Sequence, residues 1–266
     1  MQISTKKYAE LLGGEGLKCG SQTLRLAQND ADREAIFRLR FEIFNQELNE
    51  GIKANEATGL DQDDYDQYCD HLMILQGERV VGTYRLLPGR KRPASGFYSE
   101  EEFHLAGLGV DPEESVELGR GCISPEYRKQ ATLMNLLFGL SVYMDVKSAR
   151  YLFGCGSLPL MTADDAEATY EELRTRGKIV DKSGVAPRET HAFRGDASKG
   201  TPQIPPLVEV YMAFGAQIIG RPAFDPIFGC YDLLVFIDKE KRSDWGVQIL
   251  ERFDRRIQGR NEQESA

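Results

Sequence analysis

Apolar positions recur along this chain with two periods, and the switches between them lay out the elements. "TLRLAQ" (23–28) alternates with period two and predicts a first strand. In the next segment Phe37, Phe41, Phe44 and Leu48 recur at helical spacing, with Asn29 or Asp30 positioned to cap the helix and Gly51 to end it. "HLMILQ" (71–76) and "RVVGTYRLLP" (79–88) predict a hairpin of two strands. "SEEEFHLAGL" opens on Ser99, a good N-cap, with acids in its first turn, and predicts a helix there. "SVELGRGCI" (115–123) reads as a strand, 130–149 as a helix apolar nearly all round, and "RYLFGCGSL" (150–158) as another strand. An amphipathic helix follows over 163–176. A second over 205–216 opens on proline and closes near Gly215. "YDLLVFID" (231–238) predicts the last strand.

This order predicts an α/β fold in which a mixed sheet carries helices on both faces. Residues 1–21 read as an N-terminal extension, 22–245 as one domain, and 246–266 as a polar tail that frays. The chain has 266 residues and a formal net charge of -9. That acidic balance argues against a non-specific nucleic-acid binder, which needs a basic surface to displace counterions. The longest apolar run, 133–146, is shorter than the ~20 residues a bilayer span requires. The N-terminus lacks the apolar centre of a signal peptide, so the cytoplasm is the expected compartment, with a position at the inner membrane surface left open. Five scattered cysteines without a C-x-x-C pair suggest neither a disulfide framework nor a metal site.

The densest chemistry lies in "VELGRGCISPEYR" (116–128). On an alternating strand Glu117, Gly119 and Gly121 share one face, and Leu118 and Arg120 the other. Glycines within a strand mark a bulge or a close ligand approach. The order of elements and these residues resemble the GNAT acyltransferase fold. "DREAIFRLRFEIFNQELNEG", "DQDDYDQYCDHLMIL", "VVGTYRLLPG", "FYSEEEF" and "PPLVEVYMAFGAQIIGRPAFDPIFGCYDLLVFI" make the chain similar to one branch of it. That branch is the ornithine N-acyltransferases, also described as hemolysin-like and related to acyl-homoserine-lactone synthases. The resemblance covers residues 22–240. It implies a long, 3-hydroxy acyl chain passed as a thioester from acyl carrier protein, or coenzyme A, to the α-amine of an amino acid, ornithine first. No tightly bound cofactor is implied.

Amide formation from a thioester needs a neutral amine, a stabilised oxyanion and a tolerable thiolate. The resemblance implies that Glu117 is the base or amine anchor. Backbone N–H groups around Gly119, Arg120, Gly121 and Cys122 would hold the oxyanion. The donor's phosphopantetheine arm is assigned to Arg120, Ile123, Arg128, Lys129, Ala131 and Thr132. Where acetyl-CoA enzymes of this fold carry a glycine loop for the pyrophosphate, this chain has "RKQATL" (128–133), and a Cβ on each residue hinders close backbone approach. That departure favours the carrier-protein donor. Arg90, Lys91 and Arg92, the densest basic cluster, are candidates for docking that acidic partner. Asp64, Asp66 and Asp70, in a segment without basic residues, are candidates for a cationic acceptor. Each assignment has a plainer counterpart: a structural ion pair for Glu117, solvated loops for the other two. Alternatives that remain open are an acyl-homoserine-lactone synthase, an acetyl-CoA-dependent N-acetyltransferase and a lipid-binding or membrane-lytic protein.

Overall fold

The computed structural model describes residues 5–158 and 161–264. Along the chain run α1 (Thr5–Leu12), β1 (Leu17–Cys19), β2 (Gln22–Leu26), α2 (Asp30–Phe41), β3 (Asp70–Gln76), β4 (Arg79–Pro88), β5 (Phe103–His104), β6 (Ser115–Ile123) and α3 (Gln130–Val146). Then come β7 (Tyr151–Leu158), α4 (Ala163–Thr175), β8 (Ile179–Val180), β9 (Ala186–Pro187), α5 (Pro206–Ala213), β10 (Gln217–Ile219), β11 (Ala223–Asp225), β12 (Cys230–Asp238) and α6 (Asp244–Glu264). The chain divides into two compact units. The first comprises Met1–Lys91, Leu118–Ala149 and Val247–Ala266; the second comprises Arg92–Glu117 and Arg150–Gly246.

In the first unit the strands neighbour one another in the order β1-β2-β3-β4-β6, antiparallel from β1 to β4. The hairpin predicted at 71–88 is present and turns at Gly77, whose φ of 62° suits glycine. Adjacent residues of β3 face opposite ways, and the two helices use that alternation. Gly139 of α3 lies so close to Leu24 and Leu72 that an added Cβ would stand 2.8 and 2.9 Å from their side chains. Ile36, Phe37 and Leu39 of α2 pack with Met73 and Val80. Leu72 and Met73 are neighbours in sequence, so α3 and α2 cover opposite faces of this sheet. Helix α1 covers α3 from another side, Tyr8 meeting Phe138 edge-on at 6.2 Å, which explains why α3 is apolar nearly all round. Asn29 caps α2, its side chain accepting from Asp32 N at 2.9 Å. The helix continues past Phe41 as a π-helical turn over Glu42–Glu47. The tail expected to fray is instead helical in α6, with Phe253 stacked on Phe138 at 6.1 Å.

In the second unit the first three residues of β6 run parallel to β7, which pairs antiparallel with β12 over Tyr231↔Leu158 to Asp238↔Tyr151. β12 also pairs with β10 and β11, and β10 with β8. Thr162 and Asp165 form a reciprocal cap on α4, and Pro206 opens α5 in its first turn.

The expected helix at Ser99 is absent. A single 3₁₀ turn, Tyr98–Glu100, leads into β5, which pairs with β9. The physical reason is a competing acceptor. Ser99 gives both its backbone N–H (2.6 Å) and its hydroxyl to the carboxylate of Glu117, so it acts as a donor rather than as a helix cap. No helix among the described residues is long and apolar enough to cross a membrane.

Candidate active site

Strand β6 brings the predicted residues together along one segment. Glu117 is buried and accepts from Tyr98 N at 2.7 Å and Ser99 N at 2.6 Å, as well as from Ser99 Oγ. It is the last β6 residue in the ladder to β7, opposite Phe153. Three residues on, Arg120 has a φ of 50°, in the left-handed region that L-residues other than glycine seldom adopt. Its two glycine neighbours give the backbone room for that turn. A Cβ on Gly121 would stand 2.0 Å from the ring of Tyr84, so only glycine fits there. A Cβ on Gly119 would point toward Arg85, 3.7 Å from its Nε. The break in alternation therefore turns Gly119 and Arg120 toward the same group of side chains.

That group is a buried ion network inside the first unit. Arg40, wholly enclosed, meets Asp61 at 2.6 Å and Asp66 at 2.8 Å. Arg85 meets Asp63 at 2.6 Å and Asp66 at 3.5 Å. Arg120 stands 3.6 Å from both Asp61 and Asp63, with its guanidinium over the ring of Phe44. Three arginines thus face three aspartates. Burial works to raise the pKa of Asp66, but Arg40 and Arg85 outweigh it and hold this carboxyl far below the ordinary range. Asp63 is lowered in the same way, burial opposing and Arg85 prevailing. His71, beside Asp66, is pushed down to about 4 by its burial, so it is neutral at neutral pH. Arg40 has a sequence signal that was not used: it shares the helical face of Phe37 and Phe44, where a charge has no place without partners.

The residues assigned to the donor arm occupy several settings. Ile123 is half-buried and its carbonyl accepts from Arg128 Nε at 3.0 Å. Arg128 pairs in bidentate fashion with Glu47, its Nη2 to Oε2 distance being 2.6 Å. Exposed Lys129 precedes α3 without offering a side-chain cap. Lys129, Ala131 and Thr132 line a cavity of about 280 Å³ together with Lys18, Gln22 and Asn135. Its polar wall is ordered, since Gln22 donates to Thr132 at 3.0 Å and receives from Asn135 at 2.8 Å.

The basic cluster is divided. In the first unit exposed Lys91 reaches Asp70 at 2.6 Å, and Arg90 is exposed. In the second, Arg92 lies 3.8 Å from Glu113 and over Phe97. Of the three acids considered for a cationic acceptor, Asp66 lies inside the ion network. Asp70 is held by Lys91, by Lys147 at 3.0 Å and by the Tyr143 hydroxyl at 2.7 Å, while Asp64 is exposed.

The second unit contains a buried acidic cluster that sequence reasoning did not identify. The register sets Asp232 opposite Ser157 and Asp225 opposite Cys230, so Asp225, Cys230 and Asp232 share one face with Cys155 and Ser157. Asp225, Cys230 and Asp232 each bring a ligand-type atom within 4.8 Å of the others. Asp225 is held by the backbone N–H groups of Ile227 (2.7 Å) and Phe228 (3.2 Å). Glu102 joins from the segment before β5, accepting from the Cys155 thiol at 3.4 Å. Burial, then the neighbouring Asp232 and Asp225, push the Glu102 carboxyl far up; burial likewise raises Asp232. The thiols follow the same rule. Burial pushes Cys122 up to about 12 and Cys155 well above its ordinary value, with Glu102 and Asp232 adding to the latter. Neither is a thiolate nucleophile at neutral pH.

Comparison with known proteins identifies the family. Residues 39–138 match the acetyltransferase (GNAT) domain family. The L-ornithine N(alpha)-acyltransferase of Brucella abortus is 30% identical over 251 residues, 85% of this chain and 87% of that protein. The enzyme of the same name from Rhizobium meliloti is 30% identical over 80% of this chain and 78% of that one. Among solved structures, the CoA-dependent acyl-homoserine lactone synthase MesI shares the fold with a TM-score of 0.50, covering 86% of this chain and 93% of its own at 14% identity. The protein is therefore an acyltransferase with the GNAT fold, and the chain belongs to the L-ornithine N(alpha)-acyltransferase family.

Proposed function

We propose that the protein transfers a long 3-hydroxyacyl chain from the phosphopantetheine thioester of acyl carrier protein to the α-amine of ornithine. The observation that carries this reading is the near end-to-end match to proteins named L-ornithine N(alpha)-acyltransferase. The amine nitrogen attacks the thioester carbonyl, an amide C–N bond forms, and the C–S bond breaks. The proton lost by the amine goes to Glu117, directly or through water, and the departing pantetheine thiolate takes up a proton from solvent. Backbone N–H groups along Gly119–Cys122 stabilise the oxyanion. The left-handed turn at Arg120 supports this role, since it takes the backbone out of regular strand geometry.

The donor arm lies against the start of α3. Lys129 and Lys18 beside the uncapped N-terminus suit its phosphate, and the lack of glycine in 128–133 suits a donor without a pyrophosphate. Arg90, Lys91 and Arg92 guide the acidic carrier protein.

Purified enzyme, ornithine and either 3-hydroxyacyl carrier protein or the matching coenzyme A thioester should give an N-acyl-ornithine by mass, faster with the carrier protein. Glu117→Gln should lower turnover by ~10²-fold or more while circular dichroism stays unchanged. A mutant of unaltered turnover rejects the base, and a product containing homoserine lactone rejects the acceptor. Reversing Arg90, Lys91 and Arg92 to glutamate should raise KM for the carrier-protein donor and leave that for the coenzyme A thioester unaltered.

A further inference from the structure

One helical turn of the first unit touches the bent part of β6 at three successive places. Beyond Phe41, α2 continues as the π-helical turn Glu42–Glu47, where Leu48 N donates to Ile43 O, five residues back, at 2.9 Å. Such turns are rare, and inside a helix they often mark functional sites. Phe44 of this turn lies beneath the Arg120 guanidinium, whose Cζ is 5.7 Å from the ring centroid. Ile43 shares a buried apolar cluster with Cys122, and Phe44 and Leu48 pack against it. Glu47, at the end of the turn, accepts from both Nη atoms of Arg128, at 2.5 and 2.6 Å. Arg128 in turn donates from Nε to the carbonyl of Ile123, the last residue of β6, at 3.0 Å.

All three nitrogens of the Arg128 guanidinium thus bond to protein, so this side chain is built into the scaffold. An exposed ion pair contributes little by itself. This one is bidentate, and it ties the end of α2 to a backbone carbonyl of β6. Arg120 holds a φ of 50°, which costs free energy and persists only where the surroundings impose it. Asp61, Asp63 and Phe44 hold the start of the bend, at Arg120. The Glu47–Arg128 pair holds its end, at Ile123.

We infer that the π-helical turn of α2 braces the segment that receives the oxyanion, with Glu47, acting through Arg128, as its positioning residue. The inference rests on the proposed acyl transfer at Gly119–Cys122. Backbone N–H groups stabilise an oxyanion only while they point at it, and a displacement of about 1 Å can cost ~10²-fold in rate. Glu47 is bonded to Arg128, not to a reacting atom, so its loss slows bond formation and leaves both substrates bound as before. The family resemblance gives Arg128 a different task, holding the donor's phosphate. In that role Glu47 is a competitor for the arginine, and removing it helps the donor to bind. The two roles predict opposite signs for one substitution.

The test is steady-state kinetics of the full-length enzyme with ornithine and two donors. One is the acyl carrier protein thioester. The other is the same acyl group on N-acetylcysteamine, which keeps the reacting end of the arm and has no phosphate. Glu47→Ala should lower kcat by ~10-fold with either donor, while KM for donor and for ornithine changes by less than ~2-fold. Added acetate should restore part of the lost kcat in Glu47→Ala and leave wild type unaffected, because Glu47 is 34% exposed and Arg128 remains to receive a carboxylate. Glu47→Gln, whose amide oxygen can accept one of the two bonds, should fall between wild type and Glu47→Ala. Unchanged kcat in Glu47→Ala overturns the brace. A lower KM confined to the carrier-protein donor also overturns it and returns Arg128 to the phosphate. So does a loss of kcat that acetate does not recover and that goes with a lowered thermal unfolding temperature, since Glu47 then serves the fold at large. A wild-type enzyme that acylates no amino acid overturns the proposed function and the brace with it, whereas an active wild type with any of the preceding results overturns the brace alone.

Discussion

In the first unit three arginines and three aspartates lie enclosed together, each aspartate within ion-pair distance of two arginines. In the second, Glu102, Asp225 and Asp232 are as deeply buried, and none of them forms an ion pair among the described residues. The contrast separates two uses of buried charge. A network that balances itself is finished when the chain folds, and its task is to fix elements in place: the end of α2, the loop 61–66 and the bent part of β6. A cluster of acids alone settles its charge differently, by keeping protons: burial holds the Glu102 carboxyl far above the ordinary range, and it shares a hydrogen bond with Asp232. Glu117 and Arg120 stand three residues apart on one strand, yet the first belongs to the acid-rich unit and the second to the balanced one.

The sharpest way to break the contrast is to unbalance the first unit. Arg40→Ala removes a cation that touches two buried aspartates and leaves both without it. Destabilisation by about 3–5 kcal/mol is expected, read from the urea midpoint at pH 7. A loss below about 1 kcal/mol would show that the network is not what holds α2 to the loop.

Titration gives the next largest effect, and the two units should respond with opposite sign. His71 has its pKa depressed to about 4 in the folded state against an ordinary value of about 6.5. The unfolded chain therefore takes up a proton first as pH falls. The contribution is whole above about 6.5 and is lost as pH falls toward 4, amounting to roughly 3 kcal/mol. Asp63 and Asp66, held below the ordinary carboxylate range, lose their contribution on further acidification. Glu102 and Asp232 are raised instead, so their contribution is whole at acid pH and declines as pH rises above the ordinary carboxyl value. Urea midpoints measured from pH 4 to pH 9 should fall at both ends, the acid limb vanishing in His71→Phe. An unchanged acid limb in that variant would assign it to the aspartates alone.

How much of this was legible in the sequence differs between the units for the same physical reason. Element order followed from apolar patterning, because β2 and α2 bury one face at their own period while β3, β4 and α3 are apolar almost throughout. The β6 glycines announced the interruption that Arg120 adopts, since a local sterically required residue is a local signal. Ser99 misled for the opposite reason. Its capping grammar was sound, but its partner, Glu117, stands 18 residues later, and a strand had to form before the two could meet. Glu102 was hidden in an acidic run that reads as a helix N-terminus. Asp225 and Asp232 did leave a trace: "AFDPIFGCYDLLVFI" is an apolar strand pair carrying two lone acids. A charge inside such a strand needs a partner. Only the register of β11 on β12 shows that both acids, and Cys230 between them, point the same way.

The smallest effect is the one that discriminates best. If the acids of the second unit keep protons when buried, replacing one of them by its amide should make the protein more stable at alkaline pH, not less. Glu102→Gln keeps the shape of the side chain and its amide donates to Asp232 as the protonated carboxyl does, without the proton uptake that folding of the wild type requires at alkaline pH. A gain of roughly 1 kcal/mol in the urea midpoint is expected at pH 8, where burial and Asp232 act most strongly against the charged form. At pH 5 the gain should disappear, because the carboxyl is then protonated and already serves as the donor. Asp66→Asn in the first unit should behave in the reverse sense, destabilising at both pH values, since it takes a counter-ion from Arg40 and Arg85. If Glu102→Gln instead destabilises at pH 8 as Asp66→Asn does, the second cluster is compensated within the fold, and the distinction between the two units fails.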